Sequence, residues 1–121
     1  MDKIELLFDK GLRAFNKREF YDAHEYWEEI WIDYKLQDAR FIQGLIQLSV
    51  SYFHYFNANL KGAKSMLRKC LTKFEGYKVV RGIDVESLVL EILLLQLDYQ
   101  DKENNSINKD IYTISLKVLD E

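Results

Sequence analysis

The chain has 121 residues, of which 48% are hydrophobic and 31% are charged, and its formal net charge is -3. This length supports a single domain that buries about two-thirds of its unfolded surface. The negative net charge argues against a protein whose main role is to bind nucleic acid. The single cysteine, Cys70, excludes an intrachain disulfide and a cysteine-cluster metal site, so we expect a protein of the reducing cytoplasm.

Apolar residues at intervals of three and four predict two helices in the first part of the chain. The first covers residues 1–16, with Asp2 as its N-cap, and the second covers about residues 20–34. The polar residues between them are enough for a tight turn and too few for a crossover. The two helices are therefore expected to form a hairpin.

The stretch Phe41–Phe56 carries no formal charge and no proline. At 100° per residue its apolar side chains surround the axis, which predicts a helix that is buried on most sides. It is shorter than the roughly 20 residues that a membrane span needs, so we expect a core helix and no membrane segment. Gln43, Gln47 and His54 share one stripe of this helix, and each buried polar group needs a hydrogen-bond partner.

Two further helices are predicted after the central one. Asn59 is expected to cap a fourth helix that ends at Gly76, and Asp84 to cap a fifth helix from Val85 to about Tyr99. The residues between Gly76 and Asp84 are expected to form a loop.

The chain is predicted to divide into an all-α helical domain, residues 1–100, and a polar linker with a short tail, residues 101–121. Asp101–Asp110 has almost no apolar content and is expected to be weakly ordered. Residues 111–119 alternate apolar and polar side chains as a strand does, although a short helix also fits. A lone strand has no local partner, so we expect a poorly packed tail that could pair between two chains of a homodimer.

Small and aromatic residues recur at the joints of the helices. Gly11, Phe15, Ala23 and Trp27 have the spacing of a tetratricopeptide-type hairpin, and Phe56–Ala63 repeats the same kind of joint. Two such units are too few for a repeat array. We therefore predict an all-α fold, a five-helix orthogonal bundle of two tetratricopeptide-like helical hairpins, with a C-terminal tail.

Several short motifs in the chain resemble those of a known family. They are Tyr21-Asp22-Ala23-His24-Glu25 with Glu28 and Trp31, Gln43-Gly44-Leu45-Ile46-Gln47, and His54 with Asn59 and Gly62-Ala63. In this order and with these gaps they resemble the bacterial and plastid family known as domain of unknown function 309, over roughly residues 8–95. The resemblance implies a compact all-α domain and little about activity. Ser51 stands where small residues such as alanine are usual in the family, and we expect little consequence from that difference.

The polar residues on the second and third helices form a candidate site. Its members are His24, Glu25, Glu28, Trp31, Gln43, Gln47 and His54. His24 and Glu28 are four residues apart, so their side chains meet on one helix face. The simplest interpretation is a buried hydrogen-bond network that fixes how the two hairpins pack, in which His24 bonds to Gln47 or to Glu28.

A metal site is the first alternative to that hydrogen-bond network. His24, Glu28 and His54 could bind a divalent metal, with the two glutamines of the stripe behind them. Glu25 or Glu28 would then act as the base of a metal-dependent hydrolase-like enzyme. The sequence His-Glu-x-x-Glu lacks the second histidine of the zincin signature, so it does not indicate a protease of that class.

A second alternative is a small-molecule or peptide cleft, walled by Trp27, Trp31, Tyr21 and Tyr52 over the polar stripe. The fourth helix has a basic face, but the interleaved aromatic residues of an RNA platform are missing. We therefore expect a non-catalytic binding or scaffold module with a protein or small-molecule partner. We expect no cofactor, no membrane and no nucleic acid.

Overall fold

The computed structural model describes residues 2–102 and 110–119. Most of them lie in five helices: α1 (Lys3–Asn16), α2 (Phe20–Asp33), α3 (Ala39–Phe56), α4 (Leu60–Lys73) and α5 (Val85–Gln100). Two short strands, β1 (Val79–Val80) and β2 (Ile83–Asp84), pair antiparallel between α4 and α5. The prediction of an all-α fold with five helices is confirmed, whereas the likeness to tetratricopeptide hairpins stays a prediction.

The three predicted N-caps are present. Each capping oxygen accepts a hydrogen bond from the backbone amide three residues later: Asp2 from Glu5 at 2.8 Å, Asn59 from Gly62 at 2.9 Å and Asp84 from Ser87 at 3.3 Å. These bonds satisfy donors at the helix starts that have no partner within the helix.

A small hairpin occupies the segment that was predicted to be a loop. Its two-residue turn consists of Arg81 and Gly82, whose φ angles are 50° and 79°. Positive φ at both turn residues matches the twist of the paired strands. The Nε of Arg81 donates to Oδ2 of Asp38 at 2.6 Å, which ties the hairpin to the start of α3.

The core lies where the α1–α2 hairpin packs on the α3–α4 hairpin. Gly11 allows the indole of Trp27 to lie against the backbone of α1, where its nitrogen donates to the carbonyl of Phe8 at 3.2 Å. Phe20 stacks on Tyr52 across the two hairpins, with ring centroids 4.5 Å apart. Aromatic contacts of this kind contribute beyond the area that they bury.

Helix α3 is the central helix of the bundle, as predicted. It packs against α2 on one side and α4 on another, and it begins at Ala39, two residues before the predicted start. Phe41, Leu45 and Leu48 are fully buried. Within residues 2–102 and 110–119, no helix combines the length and the apolar character that crossing a bilayer requires.

The tail packs against the bundle, so the expectation of a poorly packed tail was wrong. Ile111, Ile114 and Leu116 are buried, and residues 114–117 alternate between buried and exposed as in an extended chain. The described residues 111–119 form no strand, and side chains of the bundle bind the amides of residues 112, 114 and 116. Most of the predicted weakly ordered linker, residues 103–109, lies outside the described residues. The division after residue 100 and the homodimer stay predictions.

Candidate functional site

Helix α2 places His24 and Glu28 side by side, as their spacing predicts. The Nε2 of His24 lies 3.3 Å from Oε2 of Glu28. The Nδ1 of His24 donates to the carbonyl oxygen of Tyr21 at 2.6 Å. Both ring nitrogens of His24 therefore lie against oxygen atoms of α2.

The polar stripe of α3 makes its contacts elsewhere. The Nδ1 of His54 lies 3.4 Å from Nδ2 of Asn59, at the start of α4. The Oε1 of Gln47 is buried and has no hydrogen-bond partner among the described residues, and Gln43 is half-buried. Of the two partners predicted for His24, the structure therefore has Glu28 and not Gln47, whose amide oxygen has no partner among the described residues.

The other predicted residues are spread over the surface and the core. Glu25 is exposed and borders a cleft of about 430 Å³ between α1 and α2. Trp27 and Tyr52 are buried, whereas Tyr21 and Trp31 are 52% and 40% exposed. These four aromatic residues therefore do not wall one cleft, and that expectation was wrong.

The three predicted metal ligands are only partly brought together. His24 and Glu28 are adjacent, whereas the polar contact of His54 is with Asn59. In the part of the chain that the structure describes, no group of three or more histidine, cysteine, aspartate or glutamate side chains is arranged to hold a metal ion. Cys70 is a buried core side chain. Its burial raises the pKa of the thiol, so the thiol is not a reactive one.

Helix α5 exposes an apolar face that the sequence analysis missed. Leu90, Leu93, Leu94 and Leu97, here called the leucine face, are 63%, 41%, 48% and 58% exposed. They lie at i, i+3, i+4 and i+7, so they form one continuous ridge. A helix that is apolar on all sides is normally buried on all sides. The leucine spacing was visible in the sequence, but the core-facing residues of the same helix follow an equally regular pattern.

The leucine face has an acidic border. Helix α5 contains no lysine or arginine, and its acids are Glu86, Glu91 and Asp98. Glu91 and Asp98 accept hydrogen bonds from the hydroxyl and the amide of Tyr112, at 3.2 Å and 2.7 Å. Glu86 and Asp101, near the two ends of the ridge, are exposed. The face therefore presents apolar surface together with negative charge.

A hollow adjoins the N-terminal end of the leucine face. Its volume is about 450 Å³, and its lining includes Phe74, Tyr77, Val89 and Leu90. Glu86 lies at its edge and is the one charged side chain among the described residues that line it. The hollow and the ridge share Leu90, so they form one surface.

Comparison with known proteins finds a family match over part of the chain. Residues 8–66 match the family model described as Domain of unknown function (DUF309). The match includes all seven residues of the predicted polar site, but it is shorter than the expected resemblance and leaves out α5 and the tail. Among curated proteins, none matches the chain. The resemblance to the DUF309 family that the short motifs predicted is therefore confirmed over residues 8–66.

Proposed function

We propose that this protein is a non-catalytic binding module whose leucine face binds a cationic amphipathic helix of a partner protein. The observation that carries the proposal is the exposure of the four leucines of α5 at helical spacing. Such a ridge fits the apolar stripe of a second helix, as in other helix-in-groove complexes. The cytoplasm is the proposed compartment, since one buried, unpaired cysteine suits a reducing environment.

The negative charge of α5 favours a cationic partner. Glu86, Glu91 and Asp101 carry negative charge beside the leucine face, whereas the charge of Asp98 is paired with Lys102 at 2.9 Å. A second copy of α5 packed on the first would bring acidic residues near acidic residues, which disfavours self-pairing. A partner helix with lysine or arginine beside its apolar stripe would instead be attracted along the whole ridge.

The hollow beside Leu90 supports the proposal further, because it offers a place for one large apolar side chain of the partner. Binding energy in such interfaces is concentrated in a few apolar anchors that enter well-packed pockets. Glu86 at the edge of the hollow would then face a cation that flanks the anchor.

The test uses the full chain and a fluorescein-labelled synthetic helix that alternates leucine and lysine in amphipathic order. Fluorescence anisotropy should show binding, and the double variant Leu90→Glu with Leu94→Glu should lower the affinity at least ~10-fold, because it places carboxylates in the contact. Ile32→Glu is the matched control, since Ile32 on α2 is 63% exposed, the same fraction as Leu90.

Three outcomes would overturn the proposal. One is equal binding of a leucine–glutamate helix with the same pattern, and another is an equal loss of affinity in the Ile32→Glu control. The third is a dimer in light scattering that Leu94→Glu converts to a monomer, since the face would then belong to a second copy. Added salt should weaken binding of the lysine helix, because exposed charges are screened.

A further inference from the structure

The tail is held on the bundle through its backbone. The side-chain amide of Asn16 accepts from the amide of Leu116 at 2.8 Å and donates to the carbonyl of the same residue at 2.9 Å. The hydroxyl of Tyr52 accepts from the amide of Ile114 at 2.9 Å and donates to the carbonyl of Tyr112 at 2.6 Å. Two side chains therefore satisfy four main-chain groups of the tail.

A third side chain completes the arrangement. The Oδ2 of Asp98 accepts from the amide of Tyr112 at 2.7 Å. The amides of residues 112, 114 and 116 are thus bound in turn by α5, α3 and α1. An extended chain needs such partners on alternate residues, and here side chains take the place of a neighbouring strand. We call the surface defined by Asn16, Tyr52 and Asp98 the tail groove.

Side chains of the tail, mainly apolar ones, also contribute to this recognition. Ile111, Ile114 and Leu116 are 2%, 1% and 4% exposed, whereas Thr113 and Ser115 are exposed. A cavity of about 260 Å³ remains open between α5 and the end of the tail. Backbone bonds accept any extended sequence, so the groove selects mainly for apolar residues at the first, fourth and sixth positions.

We propose that the tail groove is a binding site for extended peptides of partner proteins, and that the tail occupies it within the same chain until such a peptide displaces it. The preferred peptide has apolar residues at the first, fourth and sixth positions, as residues 111–116 do. A tethered segment competes at an effective concentration on the order of millimolar. A free peptide therefore binds the intact protein weakly and binds a protein with a weakened tail strongly.

The test uses the full chain and a labelled synthetic peptide of residues 110–119. A variant whose own tail carries Ile111→Asp and Ile114→Asp should bind this peptide at least ~10-fold more tightly than the unaltered protein, because its groove is vacant. Adding Tyr52→Phe should remove that gain, since the hydroxyl is lost while the ring keeps its packing. A peptide with the same two aspartates is the control and should not bind.

Two results would overturn the inference. One is a tail variant that keeps its helical circular dichroism and binds the peptide no more tightly than the unaltered protein. The other needs no variant: native-state hydrogen exchange reports the free energy of opening at the amides of Ile114 and Leu116. We expect this free energy of opening to be well below the free energy of global unfolding. If these amides exchange only through global unfolding, the tail does not leave the groove in the folded protein.

Discussion

The hydroxyl of Ser51 lies 3.0 Å from the hydroxyl of Tyr99, where α3 meets α5 in the buried core. The Oγ of Ser51 also lies 2.7 Å from the carbonyl oxygen of Ala63 and donates its only proton there, so Tyr99 must donate to Ser51. Burial raises the pKa of Tyr99, which keeps the phenol protonated as a donor. The serine that was expected to have little consequence therefore connects three helices.

Replacing Ser51 with alanine should lower the free energy of unfolding by about 1–3 kcal/mol, because the phenol of Tyr99 loses its buried acceptor. Urea denaturation measures the change. The double variant Ser51→Ala with Tyr99→Phe should lose less stability than the sum of the single variants, since no donor is then left unpaired. If the loss of stability in the double variant equals the sum of the two single losses, this would contradict a hydrogen bond between Ser51 and Tyr99.

A second prediction concerns the buried oxygen of Gln47. It has no partner among the described residues, and an unsatisfied buried acceptor costs about 1–3 kcal/mol. Gln47→Met keeps the length of the side chain and should raise the free energy of unfolding by about 1 kcal/mol. Gln43→Met, on the same stripe, is the matched control and should change stability less. A loss of stability in Gln47→Met would show that this oxygen has a partner in solution, and the stripe would again be a candidate ligand site.

Local features of the fold were predictable because they leave local patterns. The arrangement of apolar residues located all five helices, and the contact of His24 with Glu28 follows from their separation of four residues. The β1–β2 hairpin was missed because strands of two residues are too short for any periodic signal. Its turn also gives Arg81 a positive φ, which the residue type does not indicate.

The errors at the candidate site concern contacts that no local pattern encodes. Periodicity does not specify which polar atoms find partners: the contact of His54 with Asn59 depends on the turn between α3 and α4, and Oε1 of Gln47 has no partner among the described residues. The bond between Asn16 and Leu116 joins residues 100 positions apart. Alternation in the tail did predict an extended chain, but not which side chains would bind it.

A third prediction concerns the pH dependence of stability that Asp98 contributes. Partial burial raises the pKa of this carboxyl, but hydrogen bonds from Lys102 and from the amide of Tyr112, with the charge of Lys102, outweigh it and leave the pKa below its ordinary value. A carboxyl with a lowered folded pKa stabilises the protein above its unfolded pKa of ~3.9 and loses that contribution as the pH falls through the folded value.

Asp98→Asn should therefore lower the free energy of unfolding at neutral pH by about 1 kcal/mol, and this difference should shrink below about pH 4. Urea denaturation over a series of pH values measures it. Glu29→Gln, at an exposed position on α2, is the control and should show no comparable loss. A difference between Asp98→Asn and the unaltered protein that stays constant down to the lowest pH would contradict the role of Lys102 and the tail.

The last prediction tests the close contact between α1 and α2. At an open helix position, Gly→Ala raises stability by about 0.5–1 kcal/mol. A Cβ atom at Gly11 would overlap the indole of Trp27, and this side chain is fully buried and bonded to Phe8, so it has no free space to enter. Gly11→Ala should therefore lower stability by about 1–3 kcal/mol, as overpacking does.

Urea denaturation followed by tryptophan fluorescence measures the effect. Gly62→Ala is the comparison, because a Cβ atom there meets only the side-chain amide of Asn59, which is exposed and can rotate away at the cost of its N-cap bond to Gly62, about 1 kcal/mol. Gly11→Ala should cost more stability than Gly62→Ala. If the two changes cost the same, the indole of Trp27 can move, and the approach of α1 to α2 does not depend on the missing side chain of Gly11.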